Sequence, residues 1–160
     1  MEFTIRAAKE GDMPQVLNLI QELAIYEKEG DSVEITADDL IKDGFGENKR
    51  FHCFVGETDG KVVGMAMVYT RYSTWKGTTL HLEDFVVTEP MRGSGLGSAL
   101  MAETVKYGRD MGAKRISWEV LDWNEPAIRF YEGIGADVMR HWHVVQLDEE
   151  SIAKFLKNKG

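Results

Sequence analysis

The stretch from Leu82 to Leu100, LEDFVVTEPMRGSGLGSAL, combines strand-forming residues, a short loop and a glycine-rich helix start. Strand-forming residues run to Val87, and Pro90 ends the strand because proline cannot donate to a ladder. Glycines at the start of the following helix let the backbone approach a ligand, and the positive helix end favours phosphate. We therefore predict a pyrophosphate-binding loop, called the cradle, that includes a permanently charged arginine. Its residues are Arg92, Gly93, Ser94, Gly95, Leu96, Gly97 and Ser98.

The spacing of these glycines excludes two common phosphate motifs. A Walker loop has lysine and serine or threonine directly after its last glycine, whereas Gly97 is followed by Ser98 and Ala99. A dinucleotide fingerprint has G-x-G-x-x-G after the first strand of the fold, whereas this chain has G-x-G-x-G late in the sequence. A glycine-rich turn that holds no ligand is the remaining alternative for this stretch.

Length and composition predict one domain, residues 1–160, because 160 residues form one full core but not two ordinary ones. The N-terminus is charged within ten residues, and the chain has one cysteine, Cys53, so we expect a cytoplasmic protein. No stretch approaches the ~20 apolar residues of a membrane span. The net charge of −8 argues against nucleic acid as a partner and is compatible with a cationic substrate.

Hydrophobic periodicity and turn residues predict an α/β fold with a mixed, mostly antiparallel sheet. The predicted strands are Phe3–Ala7, Phe51–Glu57, Lys61–Tyr72, Thr78–Val87, Arg115–Leu121 and Val138–Leu147. The predicted helices run from an Asp12 cap to Tyr26, from a Thr36 cap to Gly44 or Gly46, from Gly97 or Ser98 to Met111, from an Asn124 cap to Gly133 or Gly135, and from Asp148 to Leu156.

Two adjacent carboxylates, Glu83 and Asp84, lie in a predicted strand, where acidic residues are disfavoured. Strand alternation places His81, Glu83, Phe85 and Val87 on one face and Leu82, Asp84 and Val86 on the other. One of the two acids then faces the interior, where burial raises a carboxyl pKa toward neutrality and suits it as a general base. The alternative is a solvated edge strand with an incidental pair of acids.

Asn124, Ile128 and Tyr131 lie at helical spacing and share one helix face. An amide and a phenol that point the same way can bind an amide group and donate a proton. Helix capping and core packing are the alternative for these residues. The histidines lack the spacing and partners of metal ligands, so we predict no metal site.

Two motifs resemble those of the GNAT superfamily of N-acetyltransferases: R-x-x-G-x-G at Arg92–Gly97 and WNEPAIRFY at Trp123–Tyr131. The resemblance implies a GNAT fold and acetyl-CoA as co-substrate. It also implies that Asn124 contacts the pantetheine arm and that Tyr131 protonates the departing CoA thiolate. The backbone of three strand residues would pair with the pantetheine like an extra strand: Phe85, Val86 and Val87.

Nearly the whole chain is similar to the diamine (spermidine/spermine) acetyltransferase group. The similar stretches are LAIYEKEG, TADDLIKDGFGENKRFHCFV, YSTWKG, HLEDFVV, RGSGLGS, LDWNEPAIRFY and Trp142–Asp148. Within the group, YSTWKG and LDWN are similar to the thialysine N-epsilon-acetyltransferase branch. The polyamine branch usually has acids where this chain has Ser73, Arg140 and His141, so we expect long polyamines to bind less well.

The resulting hypothesis is direct transfer of an acetyl group from acetyl-CoA to a primary amine of a small cationic metabolite, thialysine-like or diamine-like. Glu83, through water, is the candidate base and Tyr131 the candidate acid. Charge and cation–π contact make Asp84, Glu27 and Trp75 candidates for binding the amine, as is Glu83 itself. The resemblance implies a homodimer. The alternatives are a polyamine acetyltransferase, a protein N-acetyltransferase and a non-catalytic acetyl-CoA-binding module.

Overall fold

The computed structural model describes residues 2–160. Its strands are β1 (Thr4–Ala7), β2 (His52–Thr58), β3 (Lys61–Ser73), β4 (Gly77–Val87) and β5 (Ile116–Ser117). Its helices are α1 (Met13–Tyr26), α2 (Ala37–Phe45), α3 (Leu96–Asp110), α4 (Glu125–Gly133) and α5 (Glu149–Lys157), with 3-10 turns at Glu10–Asp12 and Glu89–Met91.

In the described part of the chain, the strands form one five-stranded sheet in the order β1-β2-β3-β4-β5. Neighbouring strands are antiparallel except β4 and β5, which are parallel. The predicted α/β fold with a mixed, mostly antiparallel sheet is therefore confirmed. The β2–β3 turn also forms as predicted, because Asp59 and Gly60 both have the positive φ that a tight hairpin requires.

Helices cover both faces of this sheet. Met13, Val16 and Leu19 of α1 and Leu40 of α2 pack with strand residues in one core: Cys53, Val55, Met65, Met67 and Val86. On the opposite face α3 lies very close to β2, since a Cβ at Gly56 would come within 2.5 Å of Leu96 Cδ1. Glycine at this position lets the start of α3 pack directly against the sheet. This packing determines the position of the cradle, which includes the first residues of α3.

The beginnings of the helices follow their sequence signals, with one exception. Thr36 Oγ1 accepts from the N–H of Asp39, and Asp39 accepts from the N–H of Thr36, which is a capping box. Asp12 precedes α1 as expected but makes no side-chain cap. Its carboxylate instead binds Arg6 of β1 through two hydrogen bonds, at 2.7 and 2.9 Å, and this guanidinium holds the pKa of Asp12 low.

Two predicted strands are corrected. The strand expected at Arg115–Leu121 is only Ile116–Ser117, and the segment expected as a strand at Val138–Leu147 has no regular secondary structure. Strand-forming side chains do not make a strand by themselves, because the backbone needs a ladder partner. The apolar side chains of this segment are largely exposed, and Val145 reaches 89%.

The chain divides into two compact units: residues up to Glu119, and Val120–Gly160. The first contains the whole sheet and α1 to α3. The second contains α4, α5 and the irregular segment between them. Within the described residues, helices fall short of the length and apolar character that crossing a membrane requires.

Candidate functional site

Strand β4 contains a bulge at the acid pair, and the bulge corrects the predicted faces. Met67 pairs with Asp84, but the next residue, Val68, pairs with Leu82, so Glu83 is an extra residue in β4. An inserted residue reverses the alternation beyond it. Asp84 therefore lies on the same face as His81, whereas Phe85 lies on the face of Leu82.

The bulge gives the two carboxylates different surroundings. Asp84 is partly buried, and burial together with the charges of Glu83 and Glu27 raises its pKa to about 6. The side chain of Glu83 is 56% exposed. Asp84 is thus partly enclosed by the protein, whereas Glu83 is accessible to a ligand and to water.

Glu27 completes an acidic cluster with this pair. It follows the last residue of α1, and burial, with the charge of Glu29 as a second cause, raises its pKa. Its charge acts on Asp84 across the face that α1 covers. Three carboxylates, Glu27, Glu83 and Asp84, therefore converge from α1 and β4, and a bound ammonium group would relieve their mutual repulsion.

The cradle has the backbone that its sequence predicts. Gly93 and Gly95 have positive φ (76° and 90°), and a Cβ on either would meet open space. In the first turn of α3, Leu96 N–H donates to Ser94 Oγ. Among the described residues this leaves the N–H groups of Gly97 and Ser98 available at the positive end of the helix. These features fit a phosphate group.

Arg92 stands beside these donors and is held from two sides. Its Nε donates to the carbonyl of Val87 over 3.5 Å, and its guanidinium carbon lies 5.5 Å from the ring centre of Tyr26. Tyr26 is the last residue of α1, directly before Glu27. The end of α1 therefore contributes both to the acidic cluster and to the cationic side of the cradle.

Strands β4 and β5 are paired over only a short stretch. Their parallel ladder consists of Leu80 with Ile116 and His81 with Ser117. Past His81 the two strands are no longer paired with each other, while β4 continues for six residues to Val87 along β3. The predicted pantetheine-binding segment, Phe85–Val87, lies in this part of β4.

Other predicted site residues lie away from the acidic cluster. Trp75 is 80% exposed at the tip of the β3–β4 hairpin, where Ser73 Oγ accepts its N–H. The six residue steps from Gly77 to Glu83 place this tip about 20 Å along β4 from Glu83. The structure therefore does not bring Trp75 to the cluster within one chain.

The predicted pantetheine-contacting and acid residues belong to the second unit. Asn124 caps α4 by accepting from the N–H of Ala127. Tyr131 is 8% exposed on the same helix, beside the ring of Phe130. Ile128 is fully buried, so the shared face predicted from the spacing is the inward face of α4.

Three residues near the site were not singled out from the sequence: Tyr26, His81 and Ser117. The signal for Tyr26 was its position beside Glu27. The sequence contains no such signal for His81 or Ser117, because their contact depends on the register of β4 against β5. In the described part of the chain, His, Cys, Asp and Glu side chains form no cluster of three that could hold a metal ion.

Replacing Asp84 with asparagine is expected to stabilise the fold at neutral pH. A carboxyl whose pKa is raised in the folded state binds its proton more tightly there than in the unfolded chain. Its unfavourable contribution therefore grows as the pH rises from about 4 to about 6 and is constant above that. We expect Asp84→Asn to gain about 1–3 kcal/mol in free energy of unfolding at pH 7.5.

Chemical denaturation at pH 5 and pH 7.5 measures this effect. The advantage of the variant should be larger at pH 7.5 than at pH 5. Asp110→Asn, in which an exposed acid at the end of α3 is replaced, serves as the control. Equal stability of Asp84→Asn and the parent at both pH values would contradict the assigned environment of Asp84.

Comparison with known protein families shows to which family most of the chain belongs. The family model described as "Acetyltransferase (GNAT) family" matches residues 14–136. That range includes the acidic cluster, the cradle and helix α4, and it extends across the boundary between the two compact units.

Individual proteins give the same assignment. The chain is 40% identical over 159 residues to "Thialysine N-epsilon-acetyltransferase" of Bos taurus, covering 92% of this chain and 94% of that protein. It is 37% identical to "Spermidine/spermine N(1)-acetyltransferase-like protein 1" of Homo sapiens, covering 94% of this chain and 23% of that protein. An integron cassette protein of V. cholerae shares the fold with a TM-score of 0.80 at 22% identity, covering 98% of this chain and 99% of that one.

Proposed function

This chain belongs to the acetyltransferase (GNAT) family and is an N-acetyltransferase, and we propose that it acetylates a primary amine of a short cationic metabolite. The family uses acetyl-CoA as its co-substrate. The observation that carries the proposal is the content of one stretch, β4 to α3. This stretch contains Glu83 and Asp84 of the acidic cluster, followed by the cradle. Eight residues separate Asp84 from Gly93, the first glycine of the cradle.

The cradle would hold the pyrophosphate of acetyl-CoA. The N–H groups of Gly97 and Ser98 and the guanidinium of Arg92 supply donors and positive charge. The backbone of Phe85–Val87 would bind the pantetheine arm beyond the point where the β4–β5 ladder ends. Bound acetyl-CoA would supply an activated acetyl thioester, and protein side chains would supply the base and the acid.

Glu83 is the proposed general base. A primary amine has a pKa of about 10, so it arrives as an ammonium ion and must lose a proton before it can attack. The exposed carboxylate of Glu83 can take this proton, directly or through a water molecule. Asp84, whose carboxyl feels the charges of both Glu83 and Glu27, would bind the cation together with Glu27 before it is deprotonated.

Tyr131 is the proposed general acid, and Asn124 the proposed contact for the pantetheine amide. The phenol would donate its proton to the sulfur as the C–S bond breaks, so that CoA leaves as a thiol. We propose that residues 1–160 are one acetyltransferase domain, and the family match across Glu119 and Val120 supports this.

We propose a short, lysine-like or diamine-like acceptor, with thialysine as the leading candidate. Relatives named for thialysine acetylation support it. Ser73, Arg140 and His141 occupy positions where the polyamine branch usually has acids, and each missing carboxylate weakens the binding of a distal ammonium by about 1 kcal/mol in a partly exposed site. The loss of two of these carboxylates would lower the preference for spermine by roughly 30-fold.

An amine panel tests this specificity. We expect kcat/KM to be higher for thialysine, lysine, ornithine or putrescine than for spermidine and spermine. An acetylatable peptide serves as the control for a protein acetyltransferase and should react poorly. A higher kcat/KM for spermine than for every short amine would contradict the acceptor class but not the acetyl transfer itself.

We also propose a cytoplasmic homodimer that binds neither nucleic acid nor membrane. The second unit exposes five large apolar side chains within nine residues, and this clustering supports self-association, because exposed apolar side chains are more often scattered singly: Met139, Trp142, Val144, Val145 and Leu147. The net charge of −8 supports the absence of nucleic acid.

A further inference from the structure

A row of three side chains crosses the sheet just before the bulge. In the ladders Tyr69 of β3 pairs with His81 of β4, and His81 pairs with Ser117 of β5. Directly paired residues present their side chains on the same face of a sheet. His81 is therefore enclosed between two neighbours, and only 6% of its surface is exposed.

The imidazole links Ser117 to Glu83. Its Nδ1 lies 3.1 Å from Ser117 Oγ, and its Nε2 lies 3.6 Å from Glu83 Oε2. The second separation is somewhat longer than a hydrogen bond. Because the Glu83 side chain is more than half exposed, a small rotation of its carboxylate closes this gap. His81 thus connects a buried hydroxyl to the exposed acid at the bulge.

The positions of the protons follow from these contacts. Burial lowers the pKa of His81, so the ring is neutral at pH 7 and carries one proton. An unprotonated Nε2 would direct its lone pair at a carboxylate oxygen, so we assign the proton to Nε2. Nδ1 then accepts a hydrogen bond from the Ser117 hydroxyl, and Nε2 would donate one to Glu83. Donation therefore runs in one direction, from Ser117 through the ring to Glu83.

Given the proposed function, on which this inference rests, we propose that His81 is a positioning residue that donates a hydrogen bond from Nε2 to Glu83. This bond would keep the carboxylate directed at the acceptor amine. It would also favour the ionised form, which is the form that can take a proton. Ser117 would hold the ring in the orientation and tautomer that make this possible.

Three other titratable or charged groups also lie near the ring: Tyr69, Arg71 and Glu119. Tyr69 lies with its ring centre 5.2 Å from that of His81, and burial and the charge of Glu83 raise the pKa of its phenol. Arg71 from β3 and Glu119 beyond β5 also act on His81, with opposite signs. Glu83 is the acid for which the structure shows a direct contact with the ring.

The first test removes the donor. In His81→Phe we expect kcat to fall about tenfold, the size of one lost hydrogen bond to a charged group, with the KM for acetyl-CoA within twofold. The acid limb of the kcat/KM profile should move to higher pH by about half a unit or more. An unmoved acid limb with parental kcat would overturn the proposal.

Two amide variants separate the roles of the ring nitrogens. The Gln side chain reaches the place of Nε2, whereas the shorter Asn side chain reaches only the place of Nδ1. We expect His81→Gln to retain kcat within about threefold and His81→Asn to resemble His81→Phe. Equal activities of the Gln and Asn variants would contradict a bond from Nε2, even if His81→Phe fails to fold.

A double-mutant cycle distinguishes this inference from the proposed function. Glu83→Gln should lower kcat at least tenfold, and adding His81→Phe to it should cause no further loss, because His81 acts through Glu83. Multiplicative losses would overturn the role of His81 alone. Parental turnover in Glu83→Gln would instead overturn the proposed base.

A matched histidine controls for packing. His52 of β2 is also partly buried and stacks on Tyr107 with ring centres 4.8 Å apart, but it lies on the opposite face of the sheet. We expect His52→Phe to leave the pH profile unchanged, whatever its effect on stability. A shift of the acid limb in both histidine variants would show a general packing effect and would contradict the specific link to Glu83.

Discussion

Replacing Tyr131 with phenylalanine is expected to lower kcat about 100-fold or more, while acetyl-CoA affinity stays within twofold. The substitution keeps the buried ring on α4 and removes only the hydroxyl group. Loss of a general acid slows the departure of CoA, because the sulfur must then leave as a thiolate. Stopped assays of thiol release and calorimetry with acetyl-CoA measure the two quantities separately.

Tyr107→Phe is the matched control for this prediction. Tyr107 is a partly buried tyrosine of α3 whose ring packs against His52 and Phe54, apart from the acidic cluster and the cradle. We expect it to retain parental kcat. If Tyr131→Phe also turned over at the parental rate near neutral pH, Tyr131 would be a packing residue and a different group would have to protonate the sulfur.

Replacing Gly95 with leucine is expected to abolish measurable acetyl-CoA binding. Gly95 has a φ of 90°, and its missing Cβ faces open space at the start of α3. A side chain there would occupy the approach of the phosphate. It would also strain the backbone by about 1–2 kcal/mol and disturb the N–H groups of the cradle.

Strain alone would lower stability without being specific for the ligand, so the control has to reproduce it. Gly112 follows the same helix at its other end, has a φ of 78° and also faces open space. Gly112→Leu should lose similar stability in thermal unfolding yet bind acetyl-CoA normally. A folded Gly95→Leu variant with parental affinity in calorimetry would rule out the cradle as the phosphate site.

Features that depend on neighbouring residues in the chain were predictable from the sequence. The Thr36 cap of α2, the tight turn at Asp59-Gly60 and the glycine-rich start of α3 each follow from local conformational preferences. The predicted cradle has the expected positive-φ glycines for the same reason. Such signals need no knowledge of the rest of the fold.

Features that depend on strand register were not predictable. Strict alternation placed Glu83 with His81 and Asp84 on the opposite face, but the bulge puts Asp84 on the face of His81. A bulge is a mismatch between two strands, and neither strand reveals it alone. The contact between His81 and Ser117 was missed because it depends on a parallel ladder of only two residue pairs.

The segment Val138–Leu147 shows a third limit. Its β-branched and aromatic residues favour a strand, but a strand forms only where a ladder partner exists. These residues form no regular secondary structure, and most of them are exposed. If the proposed homodimer forms, light scattering should give twice the 18.1 kDa of one chain at micromolar concentration, and a monomer mass would contradict it.

All the proposed residue roles serve one reaction, acetyl transfer from acetyl-CoA to a small primary amine. The most direct measurement mixes the protein with acetyl-CoA, with and without thialysine, and follows free CoA thiol and the mass of the amine together. We predict saturable release of one CoA per acetylated amine and little release when the amine is omitted. Tight acetyl-CoA binding with no acetylated product from thialysine or any other small amine would contradict the account and favour a non-catalytic binding module.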